Sequence, residues 1–411
     1  MSRRLLLLGG GYEQLNALRI AKELGAYVIV FDGQKRAPCM FEADEYYQVN
    51  IKNEDELLTA ATQVNAQAVF VHAAELAIEA SKVTAALGVP GIPILVAQAG
   101  TDKAVRSECL KQSGIRVPAF QSLDRSASWS DWQHSAQNLK FPMVAKPTRL
   151  AGAKGVELIP DLDSLEKYYQ NRSEFTDQDF VIEEYIRGLQ LSTESVIVEG
   201  NVKCLSVALR HYDTTQNLLP YQIEDGHSMP WDNTEKYKED ISDITSVAAR
   251  AIGMQNGVLK GDLVLLEDGR FVVLEMAVRT SGGRFCDTVV PLSSGLNILY
   301  PLLKMSLGHT VAETDFYATH TNGVSQRFLL VPEGVPLKKE KRIQQVLLQK
   351  DVVGSWFRED IHALDRAPAI KSHRDRLGYV ICTGSDRLDA DRKAQAVVRE
   401  LHNAIVKVEA K

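Results

Sequence analysis

The sequence predicts an α/β fold at the N-terminus and an α+β fold after it. Two observations predict the first part. Apolar runs of strand length stand at Arg4–Leu8, 27–31 and Ala68–Val71, and stretches with apolar residues at helical spacing separate them. Strands that alternate with helices in this way build a parallel sheet with right-handed crossovers. A third observation predicts the second part: from about residue 120 the strand-like runs come in pairs joined by glycine-containing turns, as antiparallel hairpins do.

The elements follow in order. Arg4–Leu8 is apolar and runs into Gly9, Gly10 and Gly11. Leu15, Leu18, Ala21 and Leu24 form a stripe that predicts a helix over 13–24, ended by Gly25. Residues 27–31 form the next strand, capped by Asp32. A helix is expected over 54–64, a strand over Ala68–Val71 and a helix over Ala77–Leu87, with a domain boundary near 91–100. Residues 101–114 read as a helix leading into Gly114-Ile115-Arg116-Val117-Pro118. Strands are expected at 141–146, 156–159 and Phe180–Glu184, and a hairpin at 192–198 and 202–210 turns at Glu199-Gly200-Asn201. Further on, 323–330 and 378–383 read as strands and 389–406 as a terminal helix. The basic run at 338–342 reads as a solvated helix start.

Composition bounds the function. A chain of 411 residues should form two or three domains. With 45% hydrophobic and 24% charged residues it has ordinary globular composition, and a net charge of −6 argues against a nucleic-acid surface. The five cysteines are scattered without a CxxC, against a zinc site or disulfide framework and in keeping with a reducing compartment. The apolar run after Arg4 ends at Gly9, too short for a signal peptide, and no segment has the length of a membrane span. A cytoplasmic location is the expectation.

Chemistry concentrates in a few places. Two apolar runs, GVLKGDLVLLEDG and FVVLEMAVRTSGG, are joined by an Asp268-Gly269 turn and carry Asp262 and Glu275. Because side chains alternate along a strand, both acids can project to one side of the paired sheet, with Arg279 four residues beyond. Two carboxylates and an arginine suit a hard cation that carries phosphates. Strand-end acids that meet solvent are the plainer explanation of the same pattern. Lys146 ends an apolar strand and precedes Thr148-Arg149-Leu150-Ala151-Gly152-Ala153-Lys154-Gly155, a loop of small residues whose N–H groups can hold a polyphosphate beside a lysine. A flexible surface hairpin would look similar. Phe180–Glu184 runs on through Tyr185 and Ile186 to Gly188, where backbone groups can read a base edge, or a sheet can simply end. Thr101-Asp102-Lys103 can be a helix cap or can put a lysine on an anion. The three glycines and Asp32 form a partial dinucleotide fingerprint lacking its third glycine, since Gln14 stands there, and a tight turn explains them equally.

Taken in order, these segments resemble the ATP-grasp superfamily over nearly the whole chain. GGGYEQLNALRIAKELG resembles its leading domain, TDKAVRSECLKQSGIRVPAF its lysine-bearing helix and following turn, FPMVAKPTRLAGAKGV its lysine strand and glycine lid, and VIEEYIRG its adenine hinge. GDLVLLEDGRFVVLEMAVRTSGG resembles the metal-binding strand pair and GYVICTG the closing strand. The resemblance implies a parallel βαβ pre-ATP-grasp domain over 1–100 and an ATP-grasp domain over 101–310. The latter would have a small lid subdomain at about 120–186 and a larger antiparallel-sheet subdomain, and residues 311–411 would complete the fold. It implies ATP and Mg²⁺, with Mn²⁺ as an alternative ion. Asp262 and Glu275 would hold the metal. Lys103, Lys146, Gly152, Lys154 and Gly155 would lie at the phosphates. Glu183, Glu184, Ile186 and Gln190 would lie at the nucleoside, and Arg279 with Lys146 would act in catalysis.

The implied reaction activates a carboxylate as an acyl phosphate and joins it to an amine. Small-molecule substrates, no nucleic acid, no membrane and an open question of a homodimer go with it. Two departures stand out. The family usually has asparagine where this chain has Ala277, and an acid where it has Gln190. They leave a non-catalytic ATP-binding module as one alternative; an NAD-dependent dehydrogenase resting on Gly9, Gly11 and Asp32 is another.

Overall fold

The computed structural model describes residues 2–175, 177–348 and 351–407. The first hundred residues build a four-stranded parallel sheet in the order Glu45–Gln48, Tyr27–Asp32, Arg4–Leu8, Ala68–Val71. Leu5 and Leu7 point to one face and Leu6 and Leu8 to the other, and all four are fully buried. Burial on both faces is what makes a parallel strand read as a continuous apolar run. One face packs on the helices Glu54–Gln63 and Ala77–Leu87, the other on Leu15–Glu23 and Leu299–Ser306.

The segment expected as a boundary is a helix, Ile94–Thr101. Val96, Ala97 and Ala99 are buried against Ile252 and Val278. Gly100 lies so close to Val278 that a Cβ would meet its Cγ2 at 2.2 Å. Asp102 then caps a second helix, Lys103–Gln112, by accepting from Ala104 and Val105 N–H. Glu45–Gln48 escaped the sequence reading because it is short and half-exposed, with no alternation to mark it.

A small antiparallel sheet follows, in the order Phe120–Leu123, Phe180–Glu184, Met143–Pro147, Glu157–Ile159. Its core joins Phe180 and Met143 of the strands to Trp132, Tyr168 and Leu165 of the helices Trp129–Ala136 and Leu162–Asn171. Tyr185–Gly188 connects it to the largest sheet, which has eight antiparallel strands. Their order is Phe271–Ala277, Gly257–Leu265, Leu189–Val198, Asn201–His211, Gly226–Met229, Gly323–Leu329, Gly378–Gly384, Val352–Phe357. Residues beyond 311 thus contribute three strands to this sheet, and the helix Arg387–Ile405 lies on them. The helix Thr234–Ile252 covers one face through Leu191, Val207, Leu263, Val273 and Met276. On the opposite face Val196, Ala208 and Val258 pack toward the N-terminal sheet, and Ser192, Glu194, Lys260 and Asp262 form a polar stretch beside them.

Candidate functional site

That polar face carries the site. Asp262 on Gly257–Leu265 sits opposite Glu275 on Phe271–Ala277. A regular ladder counted back from the 266–270 turn would set Asp262 against Leu274 and leave Glu275 on the helix-covered face. A bulge opposite the Asp262–Leu263 step, with Leu274 as the extra residue, corrects this. Burial records the shift. Val273 packs against the covering helix, and so does Met276, three residues on, although strict alternation would place them on opposite faces. The expectation that both acids share a side therefore holds, but through an irregularity that strand alternation did not contain.

The acids are surrounded by cations. Lys260 Nζ contacts Asp262 Oδ2 and lies 3.3 Å from Glu275 Oε2. Arg106 Nη2 donates to Glu275 Oε1 at 3.2 Å, Arg210 Nη1 lies 3.1 Å from Asp262 Oδ2, and Ser192 Oγ donates to Asp262 Oδ1 at 2.8 Å. Burial alone would raise the Glu275 carboxyl, but Lys260, Arg106, Lys103 and Arg279 together hold it well below the usual carboxylate range. Lys103 is half-buried close by, and loss of hydration brings its ammonium down to about 8 against the pull of Glu275. Its Nζ donates to Leu150 O at 2.6 Å and so ties the helix start to the glycine loop.

Lys146 lies on the small sheet, paired with Glu183 of the neighbouring strand. The loop beyond it turns through Gly152, Ala153 and Gly155, with φ of +65°, +59° and +71°. Gly152 O accepts from His373 N at 2.8 Å, a contact from the C-terminal part of the chain. Lys154 is exposed and leans toward the Phe175 ring. Glu184 is exposed, Ile186 is half-buried in the connection between the two sheets, and Gln190 is the second residue of the large-sheet strand, paired with Val264. The structure therefore brings Lys103, Lys146, Asp262, Glu275 and Arg279 toward one region. Arg279 pairs through Nε with Glu75, whose charge with that of Glu275 keeps the guanidinium protonated despite burial. Asp262 and Glu275 are the acids available to a cation: among the described residues no group of three or more His, Cys, Asp and Glu could hold a metal. Two facing carboxylates fit Mg²⁺, which keeps water and phosphate oxygens for its other positions.

Several residues of this region were missed. Lys260 sits two positions before Asp262, so strand periodicity alone puts it on the same face. Glu75, Arg106 and Arg210 carry no local signal, since each comes from a distant element. Glu194 stands out in LSTESVIV as a lone acid in an apolar strand. It is fully buried and accepts from Ser281 N–H at 2.9 Å, which fixes the segment after Arg279. Burial raises its carboxyl to about 7. Because this value lies above the unfolded one of 4.5, ionisation opposes folding: stability is highest below about pH 4.5 and declines toward pH 7 on this account. Glu194→Gln keeps an acceptor for Ser281 without the charge. It is expected to exceed the wild type at pH 8 by roughly 3 kcal/mol at most, with the gain shrinking toward pH 5, in urea unfolding at both values.

The glycine turn at the N-terminus is already satisfied internally. Gly10 N donates to Asp32 Oδ2 at 2.7 Å and Gly11 N to Gln14 Oε1 at 2.9 Å. A dinucleotide would have to displace both acceptors. His227 is buried beside Glu224, its Nδ1 3.4 Å from Glu224 Oε1.

Residues 109–283 match the family model of the D-Ala–D-Ala ligase C-terminus. A D-alanine–D-alanine ligase of Bacillus velezensis is 27% identical over 199 residues, 46% of this chain and 55% of that protein, so the chain spans about half the relative's length. Among solved structures, an L-amino acid ligase from Bacillus licheniformis superposes with a TM-score of 0.78 at 18% identity, covering 100% of this chain and 99% of the other. A carboxyaminoimidazole ribonucleotide synthase from Aspergillus clavatus, complexed with ATP, gives 0.76 at 15% identity, covering 98% and 99%. The chain therefore has the fold of these ligases over its whole length, and its central segment, residues 109–283, is similar to the D-Ala–D-Ala ligase C-terminus.

Proposed function

We propose that this protein is an ATP-dependent ligase that activates a small carboxylate as an acyl phosphate and joins it to an amine, releasing ADP and phosphate. One observation carries the reading: the Asp262–Glu275 pair faces one region with two lysines, the half-buried Lys103 from the helix start and the buried Lys146 from the small sheet. Acids on one side and ammonium groups on the other are what a metal-loaded polyphosphate needs. Mg²⁺ held by Asp262 and Glu275, with Mn²⁺ as the alternative ion, would neutralise phosphate charge. Lys103 and Lys146 would orient the phosphates. Arg279 would face the group being transferred, and the loop around Gly152 and Gly155 would exclude water from the acyl phosphate. Glu183, Glu184, Ile186 and Gln190 would bound the nucleoside end. A cytoplasmic location belongs to the same proposal; among the described residues no helix is long and apolar enough to cross a membrane. Whether two copies associate is left to sedimentation.

The test is ADP release with Mg-ATP over pooled carboxylic acids and amines, with mass detection of the joined product. Product formation supports the ligase. ATP binding without turnover in any pool favours a non-catalytic module, and no ATP binding ends the proposal. Lys146→Ala leaves Glu183 without its partner and removes a charge-assisted contact worth about 1.5–3 kcal/mol. It is expected to lower turnover at least about tenfold in the same assay.

A further inference from the structure

We propose that Lys260 serves as a built-in second cation at the acid pair, so that the nucleotide is bound with a single divalent ion. The inference rests on the ATP-dependent reading above and specifies how its metal site is loaded.

Three observations carry it. The first is position. Lys260 lies directly across the strand pair from Ala277, and both share a face with Asp262 and Glu275. The methyl group at 277 offers no ligand and leaves the space beside the acids to the lysine side chain.

The second is occupancy of the oxygens. Asp262 Oδ1 accepts from Ser192, Asp262 Oδ2 meets Lys260 and Arg210, Glu275 Oε1 accepts from Arg106, and Glu275 Oε2 faces Lys260. Every carboxylate oxygen thus has a donor. One Mg²⁺ can enter by displacing some of these contacts, with its other positions filled by phosphate and water. A second ion would need another protein oxygen at the pair, and among the described residues no third acid groups with these two.

The third is charge. Lys260, Arg106 and Arg210 already contact two carboxylates in a buried setting where repulsion is weakly screened. One dication brought in with a polyphosphate is compatible with that balance. A second would face the Lys260 ammonium at close range without a new anion. A lysine fixed on the strand can instead supply the positive charge to the phosphates, as ammonium groups do elsewhere.

The experiment counts ions rather than turnover. Full-length protein is saturated with the non-hydrolysable analogue AMPPNP and titrated with Mn²⁺, and free Mn²⁺ is read from its paramagnetic resonance signal. The wild type is expected to take up one nucleotide-dependent Mn²⁺ per chain, and two would overturn the inference while leaving the ATP-dependent reading intact. Absence of AMPPNP binding would instead remove that reading itself. In the double variant Lys260→Thr, Ala277→Asn, which removes the ammonium and supplies an amide oxygen, a second Mn²⁺ is expected; a count that stays at one rejects Lys260 as the group that keeps it out. Lys260→Met, similar in length and uncharged, is expected to weaken AMPPNP binding about tenfold with one Mn²⁺ still bound. Unchanged affinity would show that the lysine does not reach the phosphates. If the double variant fails to fold, the wild-type count and the methionine variant still decide.

Discussion

Glu275→Gln is expected to lower ATP-dependent product formation by at least about tenfold, and more if the metal is lost altogether. The substitution is nearly isosteric, so it tests charge rather than shape. Glu275 is held ionised by Lys260, Arg106, Lys103 and Arg279 although burial opposes it. Neutralising it leaves those cations facing an amide and removes one of the two carboxylates that the proposed function assigns to Mg²⁺. A lost interaction of 1.36 kcal/mol corresponds to a factor of ten in rate, and a charge-assisted contact exceeds that. Steady-state ADP release, measured beside thermal unfolding of the same variant, separates a chemical effect from a folding one. Turnover close to wild type with unchanged stability would remove Glu275 from the metal site. The carboxyl lies so far below its ordinary range that its protonation should produce no acid limb near neutral pH.

Trp132→Ala is expected to destabilise the small sheet and its helices by about 3–5 kcal/mol. Trp132 is fully buried and meets Tyr168, Tyr169 and Phe180 with ring centroids 5.9, 5.7 and 5.5 Å away. No other large side chain of the helix Trp129–Ala136 is fully buried in that core among the described residues. A truncation of this size leaves a cavity that the surrounding rings fill only partly. The effect should be regional, since this core shares no residue with the clusters under the parallel sheet. Hydrogen exchange should show faster opening of Phe180–Glu184 and Met143–Pro147, with Arg4–Leu8 unchanged. Equal loss of protection in both sheets would mean that the chain unfolds as one unit. Because Lys146 stands on the affected sheet, nucleotide affinity should fall with it.

Much of the fold was legible because its signals are local. Leu5–Leu8, buried on both faces, announced a parallel strand, and the Asp268-Gly269 turn announced the hairpin that carries the acids. The strands Glu45–Gln48 and Phe120–Leu123 were not legible: both are short and only partly buried, so no apolar pattern marks them. The helix Ile94–Thr101 was hidden by flanking proline and glycine, and it exists because Val96 and Ala97 have a surface to pack on. At the site, Asp262, Glu275, Lys146 and Arg279 could be named from strand ends and turns. Their partners could not. Glu183 was expected at the nucleoside end, and the structure shows it paired with Lys146. Glu75 and Arg106 reach Arg279 and Glu275 across 204 and 169 residues of chain, and no window of sequence holds both members of such a pair.

The bulge at Leu274 has a consequence for how this region tolerates change. Which way Glu275 points is decided by the number of residues between it and the turn, not by the chemistry of its neighbours. A residue added to the exposed 266–270 connection would be absorbed by a longer loop. The same addition between Val273 and Glu275 would rotate the carboxylate to the reverse side of the ribbon, among the apolar side chains of Leu263, Val273 and Ile241. Length variation should therefore be permitted at the tip of this hairpin and forbidden only a few positions away.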